Sequence, residues 1–550
     1  MPATMPATLP ATVPATMPAT MHRLADGTVA LVLAEQPPHG RPFLVTLVEE
    51  RDPHARDHAR ARLELARGTT TLGSGPVPDA LASLTLATAL LGDEAPLLAL
   101  RAAVAAADAA WAAGDRAACA QALTTAEQHA ARAAGPAGDL GAMTDYVSGM
   151  LALLEERPDD ARRSLRRAVA HDPALTDPEP LLRATAAALL LGDIEAGVGF
   201  GARSLAAARL RGDDAAVAQA LEHLAYAELR AGRHARARTH AVEGLAAAAQ
   251  TGRENTAAHH RAILALAASV AGDVGEAAEH VARALATARD HGLMQTATLA
   301  LWAAGRLDLA RGRPVEAAAR LGELVRPPSG GAPAAGHFAV RHLVMPSFVE
   351  AAVASGQQDL ARAVAEEYAA WASFGADPLA PALLARCCAL LAPGDAGELH
   401  FRRALELHAT AGGDFELART QLLFGQWLRR RRRPSRARDH LRDALHGFER
   451  CGGAVWAELA RSELRAAGQA GTAAPVSGGA EVLSRLTPHQ QCIARCVADG
   501  DTNREIARRL SVSVRTVDHH LRNIFVTLGV RSRVELARIV AAEQRTASAG

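Results

Sequence analysis

Four polar side chains in the last part of the 550-residue sequence share one side of a predicted helix. They recur at i, i+3, i+4 and i+7, the spacing of one helical face, at Arg515, Asp518, His519 and Arg522. An arginine can fork onto the O6 and N7 atoms of guanine, and an aspartate can accept from the N4 amine of cytosine. These residue types predict a surface that reads base edges of double-stranded DNA. The alternative is a solvated helix face.

The helix that carries these residues is predicted to span 513–529. Ser513 is a residue type that caps helix starts, and Gly529 is a type that ends helices. An apolar stripe follows its other side, at Val517, Leu521, Ile524, Phe525 and Leu528. A helix that packs along one side and is polar along the other can lie in a DNA major groove.

Three further helices are predicted around it from their start signals. Capping boxes, in which a Thr or Ser precedes a Gln or Glu by three residues, occur at 487–490, 502–505 and 532–535. Residues 511–513 form a tight turn before the polar helix, and the last helix runs to about Glu543. Four short capped helices with this turn between the second and third predict a helix-turn-helix domain at 481–545.

This part of the sequence resembles the LuxR-type DNA-binding domain over residues 484–545. The resemblance lies in Leu-Thr-Pro at 486–488 and in the stretches 502–507, 513–521 and 528–533. Gln490 and Cys492 depart from it, because the family usually has acidic residues after the Thr-Pro. The resemblance implies DNA-backbone contacts from residues at helix starts, namely Asn503, Arg504, Thr516, Arg531 and Arg533. For the last two, the alternative is surface solvation.

The last predicted helix is apolar on two sides. One stripe contains Val534, Ala537 and Val540, and this stripe suffices for the domain core. The second contains Leu536 and Ile539, which we predict to form a dimer contact, as in the related family. The alternative is that the preceding linker folds over the second stripe.

Composition restricts the remaining chemistry. Hydrophobic residues make up 49% of the chain and aromatic residues 3%, so the core must consist largely of Ala and Leu, which suits closely packed helices. The chain has no lysine, which excludes a lysine-dependent phosphate loop and Schiff-base catalysis. The six cysteines lack CxxC spacing, which indicates a reduced cytoplasmic protein without a metal site. We expect no enzyme, no cofactor and no membrane span.

Charge is unevenly distributed along the chain. Residues 484–545 contain 11 Arg and 6 acidic residues, a net charge of +5, whereas the remainder contains 49 Arg and 53 acidic residues, a net charge of −4. A basic segment joined to a mildly acidic body is typical of a DNA-binding domain on a scaffold that does not itself bind nucleic acid.

The chain before this domain divides into four predicted segments. Residues 1–21 repeat Pro-Ala-Thr and are predicted to be disordered, and 22–77 are uncertain, with a small hairpin from strands at 29–34 and 42–48. Residues 78–467 form a helical repeat, because Gly-polar breaks recur 40 residues apart from Gly192 to Gly312. We expect stacking into an α-solenoid with wide, shallow concave surfaces. Residues 468–480 are a flexible linker.

The repeat resembles the tetratricopeptide-like superhelix of the large ATP-binding LuxR-type regulators, at residues 415–430 and 457–465. Their nucleotide-binding module has no counterpart in this sequence.

The prediction is an all-α, sequence-specific bacterial transcription factor that binds DNA as a homodimer. Its repeats would receive a small-molecule or protein effector, and RNA polymerase is a further candidate partner. The resemblance implies activation of a metabolic or biosynthetic operon. The alternative is an interaction scaffold with a vestigial helix-turn-helix.

Overall fold

A computed structural model describes most of the chain. The described residues are 19–23, 28–33, 48–49, 53–133, 137–171, 177–326, 336–375, 377–411, 413–468, 486, 488–498, 501–510, 514–528, 530, 536–537 and 540. They fall in two compact units, one from Met1–Arg431 with Asp439–Arg461 and one from Arg432–Arg438 with Ser462–Gly550. The predicted linker lies outside the described residues, apart from Gly468.

A three-stranded antiparallel sheet precedes the helices. β1 (Ala19–Arg23) pairs with β2 (Thr28–Leu33), and β2 pairs with β3 (Val48–Glu49), so the strand order is β1-β2-β3. The predicted strand at 29–34 is confirmed, but its main partner is β1. The prediction of disorder through residue 21 is therefore wrong at 19–21. Pro18 is the last proline of the repeat, and the backbone N–H groups after it are free to pair.

Helices make up the rest, so the predicted all-α class and helical-repeat architecture are confirmed apart from this small sheet. The first half contains α1 (Pro53–Ser74), α2 (Val77–Leu91), α3 (Pro96–Ala113), α4 (Arg116–Arg132), α5 (Ala137–Leu154), α6 (Pro158–Ala170), α7 (Pro178–Leu190), α8 (Ile194–Arg211), α9 (Asp214–Arg230), α10 (His234–Gln250), α11 (Glu254–Ala271) and α12 (Val274–His291).

The second half contains α13 (Met294–Ala310), α14 (Pro314–Val325), α15 (Arg341–Ala354), α16 (Gln358–Ala372), α17 (Ala380–Leu391), α18 (Gly397–Ala411), α19 (Asp414–Arg430), α20 (Pro434–Arg450), α21 (Ala454–Ala466), α22 (Pro488–Ala498), α23 (Asn503–Arg509) and α24 (Val514–Leu528), with a short 3-10 helix at Gly394–Ala396. Because α1 packs against α2, the helical array begins at Pro53, and the predicted start at 78 is wrong. The break between α1 and α2 is Gly75-Pro76, and Gly75 does not adopt the left-handed conformation of the glycines that end later helices.

The helix ends follow a period of half a repeat. Seven glycines spaced 20 residues apart, from Gly192 to Gly312, adopt the left-handed backbone conformation, with φ between 63° and 89°. Only glycine enters this region without steric cost, so each one closes a helix and turns the chain back. Glu156 and Arg432 hold the same conformation without being glycine, at φ 60° and 56°. The 40-residue period read from the sequence is thus two equal helix-and-turn units.

Small residues let neighbouring helix axes approach closely. A Cβ atom added at Gly244 of α10 would overlap the ring of His260 on α11, and one added at Gly305 of α13 would overlap the side chain of Leu321 on α14. His260 is fully buried there, and its Nε2 lies 3.2 Å from the carbonyl oxygen of Ala218 on α9. Alanine and glycine at such contacts allow the stack to curve tightly.

This curvature brings distant helices of the first unit into contact. The amide of Asn255 on α11 donates to the carbonyl oxygens of Leu72 and Gly75, at 2.9 and 2.8 Å, so α11 is joined to the end of α1. α3 likewise contacts α13. Further along, Nε1 of Trp456 donates to the carbonyl oxygen of Ser269 at 2.9 Å. The expectation of wide, shallow concave surfaces is wrong for this part, because the coil closes on itself.

A buried charge cluster holds the later odd-numbered helices together. Arg386 on α17 is 2% exposed, and its Nη1 donates to Glu416 on α19 at 2.7 Å. Arg419 pairs with Glu350 on α15, and its guanidinium lies 3.9 Å from the centre of the Trp456 ring. Burial alone would raise the pKa of Glu416, but the fields of the surrounding arginines outweigh it and lower this pKa to about 2.

Two glycine-to-alanine substitutions test whether close approach determines stability. Gly244→Ala should lower the free energy of unfolding by about 1–3 kcal/mol, because the new methyl group overlaps the His260 ring. Gly199→Ala is the matched control within α8, since a Cβ there meets nothing within 4 Å. It should raise the free energy of unfolding by up to about 1 kcal/mol through helix propensity. Urea unfolding followed by circular dichroism measures both. Equal effects would contradict the proposed role of close packing.

Candidate nucleic-acid interface and interior cavity

α22, α23 and α24 surround one small hydrophobic core. From α24, Val517, Leu521 and Ile524 are buried, while Phe525 and Leu528 are partly buried, so the predicted apolar stripe is the packed side of this helix. The remaining core residues come from the surrounding segments: Leu486, Ile493, Ala494, Cys496, Val497, Ile506, Ala507, Val530, Leu536 and Val540. The core orients α24 relative to α22 and α23.

A capping box fixes the start of α23. The Thr502 backbone N–H donates to the Glu505 carboxylate at 2.6 Å, and the Glu505 N–H lies 3.4 Å from the Thr502 hydroxyl oxygen. The hydrogen bond from the Thr502 side chain, followed by the one from its backbone, lowers the pKa of Glu505. The box predicted at 502–505 is therefore present. It satisfies N–H groups that α23 leaves open at its start.

The predicted base-reading positions lie away from this core. At 3.6 residues per turn, Arg515, His519 and Arg522 fall on the side of α24 opposite to Val517, and Asp518 falls at the border between the two sides. For these four residues the structure describes the helical backbone, so their contacts to bases stay predictions. Val514, at the first turn of the same helix, is 40% exposed.

The predicted backbone-contact and dimer residues have different outcomes. Asn503 and Thr516 occupy the first turns of α23 and α24, as expected, and both are half-buried. For Arg504 the structure describes only the backbone, which is helical. Arg531, Arg533 and Ile539 lie outside the described residues. Leu536 is 0% exposed in the core of its own domain, so the dimer contact predicted there is corrected. Leu536 packs inward, where Val540 of the other stripe is also buried.

Two exposed cations of this domain were not singled out from the sequence. Arg508 lies on α23 and Arg495 on α22, and both are exposed. Arg509, in contrast, is held by Asp501, with Nη1 and Oδ2 2.9 Å apart. The net charge of +5 indicated such residues as a group, but exposure depends on which side of each short helix faces the core.

The helical body contains a second candidate site, a cavity that is partly open to solvent. A cavity of about 2290 Å³ lies within the first unit, between α1, α3, α5, α7, α9 and α11, with further walls from α13, α16 and the segment before α15. The hydrogen bonds of Asn255 to the end of α1 close one side. Apolar side chains form most of the wall, and charged side chains are interspersed among them.

A bidentate ion pair lies in this wall. Nη1 and Nη2 of Arg183 on α7 donate to the two carboxylate oxygens of Asp108 on α3, each at 2.6 Å. The same guanidinium lies 5.5 Å from the centre of the Tyr146 ring on α5. Burial raises the pKa of Tyr146 to about 12, so its hydroxyl stays protonated. The three side chains join three helices at one side of the cavity.

Glu222 on α9 has different surroundings. Its side chain is 22% exposed, it lines the cavity, and Oε1 lies 4.0 Å from Nδ1 of His259 on α11. Burial lowers the pKa of His259 to about 3, so this imidazole is neutral and gives the carboxyl group no counter-ion. Burial raises the pKa of Glu222 to about 8, against a smaller opposing effect of Arg253. Sequence patterns gave no signal for this site.

α3 also meets the length and composition of a membrane-spanning helix, with a mean hydropathy of 1.3. It is 56% buried inside the helical body and carries the paired Asp108, which is the environment of a core helix. Within the described ranges, no group of three or more His, Cys, Asp or Glu side chains is arranged to hold a metal ion.

The described helices between residues 486 and 530 have the order of a helix-turn-helix domain: the short capped α23 is followed by the longer α24, which packs along one side. Residues 484–540 match the family described as bacterial regulatory proteins, luxR family. The chain therefore carries a LuxR-type DNA-binding domain joined in sequence to a helical-repeat body.

Similar regulators share this domain with the chain. HTH-type transcriptional regulators of Mycobacterium bovis and Mycobacterium tuberculosis are 47% identical to it over 51 residues. The matched segment is 9% of this chain and 6% of each relative, so the likeness is confined to the DNA-binding domain.

Solved helical-repeat structures align with much of the chain at low similarity. A Rap conjugation gene regulator in complex with a Phr peptide covers 62% of this chain and 92% of its own, at 12% identity and a TM-score of 0.43. A Rap protein complexed with Competence and Sporulation Factor covers 75% and 98%, at 14% identity and a TM-score of 0.34.

The buried ionisable groups of the body predict how its stability depends on pH. Burial lowers the pKa of His259 to about 3 and those of His260 and His337 to about 4. An unfolded histidine titrates near 6.5, so between pH 6.5 and 4 the unfolded chain binds more protons and stability falls as pH falls. Glu222 acts in the opposite direction, because its pKa rises from 4.5 to about 8 on folding.

Lowering the pH from 7 to 5 should therefore lower the urea midpoint of unfolding. Glu222→Gln should make this loss steeper, by about 1.4 kcal/mol per pH unit, because it removes the one opposing proton. Midpoints measured at both pH values for the two proteins test this. A midpoint independent of pH, or a shallower dependence in the variant, is incompatible with these burial effects.

Proposed function

We propose that this chain is a cytoplasmic, sequence-specific transcriptional regulator that binds its operator as a homodimer. α24 would lie in the major groove and read bases through Arg515, Asp518, His519 and Arg522. The observation that carries the proposal is the capped LuxR-type domain, in which the opposite side of α24 is committed to the core. The polar side is thereby left to meet DNA.

Residues at the starts of α23 and α24 support docking on the phosphate backbone. Asn503 and Arg504 open α23 and Thr516 lies in the first turn of α24, where backbone N–H groups also favour anions. Arg531 and Arg533 follow α24 in sequence and would extend the same contact. The exposed Arg508 adds one cation to this set.

The helical body would act as the sensor or docking surface. Its interior cavity offers an effector site separate in sequence from the DNA-binding domain. An effector bound there would change how two copies associate, and so whether two half-sites are bound together. We propose activation of a metabolic or biosynthetic operon, with RNA polymerase as a further partner. Ile539 remains the proposed dimer residue of the last segment.

An arginine substitution on α24 tests the proposal directly. Genome-wide mapping of the bound DNA supplies the operator, and fluorescence anisotropy then measures its affinity. Arg522→Ala should weaken binding to this site by about 1–3 kcal/mol, because a forked base contact is lost. Arg461→Ala is the matched control: it removes an exposed arginine of α21 in the body, one that pairs with Glu449 and Glu458. It should leave the affinity unchanged.

Salt dependence separates DNA recognition from a scaffold role. Operator affinity should fall steeply with salt, since each phosphate contact releases a counter-ion. Arg508→Ala should lower the slope of log K against log salt by about 1, with little effect on sequence preference. Binding that is absent, or that ignores salt, would instead favour an interaction scaffold with a vestigial helix-turn-helix.

A further inference from the structure

The interior cavity is large for a small-molecule site. Its volume of about 2290 Å³ exceeds the roughly 300–1,000 Å³ typical of ligand pockets. Its walls come from odd-numbered helices α1 to α11, and Asn255 ties the last of these to the first. A ligand inside would therefore contact several repeats at once.

Aromatic side chains are concentrated in the wall. They form 3% of the whole chain, yet six of them line this one cavity: Trp111, Tyr146, Tyr226, Phe338, Trp371 and Phe374. Tyr226 lies one helical turn from Glu222 on α9, and its ring centre is 6.4 Å from that of His259. Aromatic faces bury apolar surface and attract cations through the negative charge of the ring face.

Most charged groups of the wall already have partners. Arg183 is paired with Asp108, and Arg341 with Glu367. The outer part contains two more exposed pairs, Arg211 with Asp177 and Arg116 with Glu156. These pairs neutralise one another, so they give the cavity no net preference for either sign of charge.

Glu222 is the exception among the charged wall residues described above. No hydrogen bond to its carboxyl group is present among the described contacts, and the neutral His259 lies 4.0 Å from it. His223 and Tyr226 flank it on α9, and burial lowers the pKa of His223 as well. Arg253, before α11, acts on it only through its field. Among the described contacts, Glu222 therefore has no salt bridge to a charged side chain, and a cationic ligand can supply that contact.

We propose that the cavity binds an organic cation, an ammonium group carried on an apolar or aromatic body. The Glu222 carboxylate would be its counter-ion, and Tyr226 and the other aromatic residues would bury its apolar part. This deepens the sensor role proposed above and depends on it only for the regulatory consequence. A buried carboxylate that gains a cation is stabilised in its charged form, so binding expels the proton that Glu222 holds when the site is free.

Three matched probes test this with the full-length chain. 4-Phenylbutylamine, 4-phenylbutanol and 4-phenylbutanoate share one apolar body and differ in charge. Isothermal titration at pH 7 should show the amine binding at least tenfold more tightly than the alcohol, and the carboxylate binding most weakly. Titrations in buffers of different ionisation heat should show release of about one proton per amine bound.

Two variants assign the effect to Glu222. Glu222→Gln should abolish the preference for the amine and the proton release, while leaving binding of the alcohol unchanged. Glu179→Gln, which alters an exposed carboxylate of the same cavity wall, is the control and should behave as the unmodified chain. Unchanged binding of 4-phenylbutanol shows that the cavity of each variant remains folded.

Several outcomes would overturn the proposal. These are equal or tighter binding of 4-phenylbutanoate, an amine preference that survives in Glu222→Gln, and no saturable binding of the amine up to roughly 10 mM. The DNA-binding function is tested separately, because Arg522→Ala should bind the amine normally. Loss of operator binding in the unmodified chain would refute the regulator proposal and leave the cavity result intact.

Discussion

Equal helix length is the constraint on which the helical body depends. From α8 to α13 every helix has 17 or 18 residues, and a left-handed residue or a tight turn ends each one. Helices of one length stack without overhang, so each buries its whole apolar side against its neighbours. Alanine and glycine at the contacts then set a short distance between axes. The tight curvature, the contact between α1 and α11, and the cavity between the odd-numbered helices all follow from this spacing.

Buried charge gives the stacked helices directional contacts that alanine cannot supply. Alanine surfaces pack in many registers, whereas Arg386 reaches Glu416, and Arg419 reaches Glu350, in only one arrangement. Removing charges from water is costly, and the close pairing and the aromatic ring of Trp456 offset that cost. Glu222 avoids the cost of a buried charge because burial raises its pKa to about 8, so its carboxyl group keeps its proton at neutral pH. The body thus contains both satisfied ion pairs and one acid that burial keeps protonated near neutral pH.

Local signals in the sequence were sufficient for the DNA-binding domain and the repeat. The Thr502–Glu505 box and the Val517, Leu521, Ile524 stripe depend on contacts within a few residues, and both are present. Leu536 was misassigned because two apolar stripes on one short helix differ only in what packs against them. The cavity could not be predicted, since Asn255 meets Leu72 across 183 residues without any local pattern. Helix α1 was missed because it precedes the regularly spaced breaks from which the repeat was predicted.

The hydrogen bonds from Asn255 to the end of α1 also affect how the chain folds. In an ordinary solenoid each repeat touches only its neighbours, so structure can propagate step by step from any point. Here a bond spans 180 residues, and its loop-closure entropy is overcome only after the intervening helices have stacked. On a ribosome, the amino-terminal helices must therefore wait for α11 to emerge before their last contacts form. The contact between α11 and the end of α1 is therefore a late event in the folding of this protein, and the wall of the cavity is completed at that step.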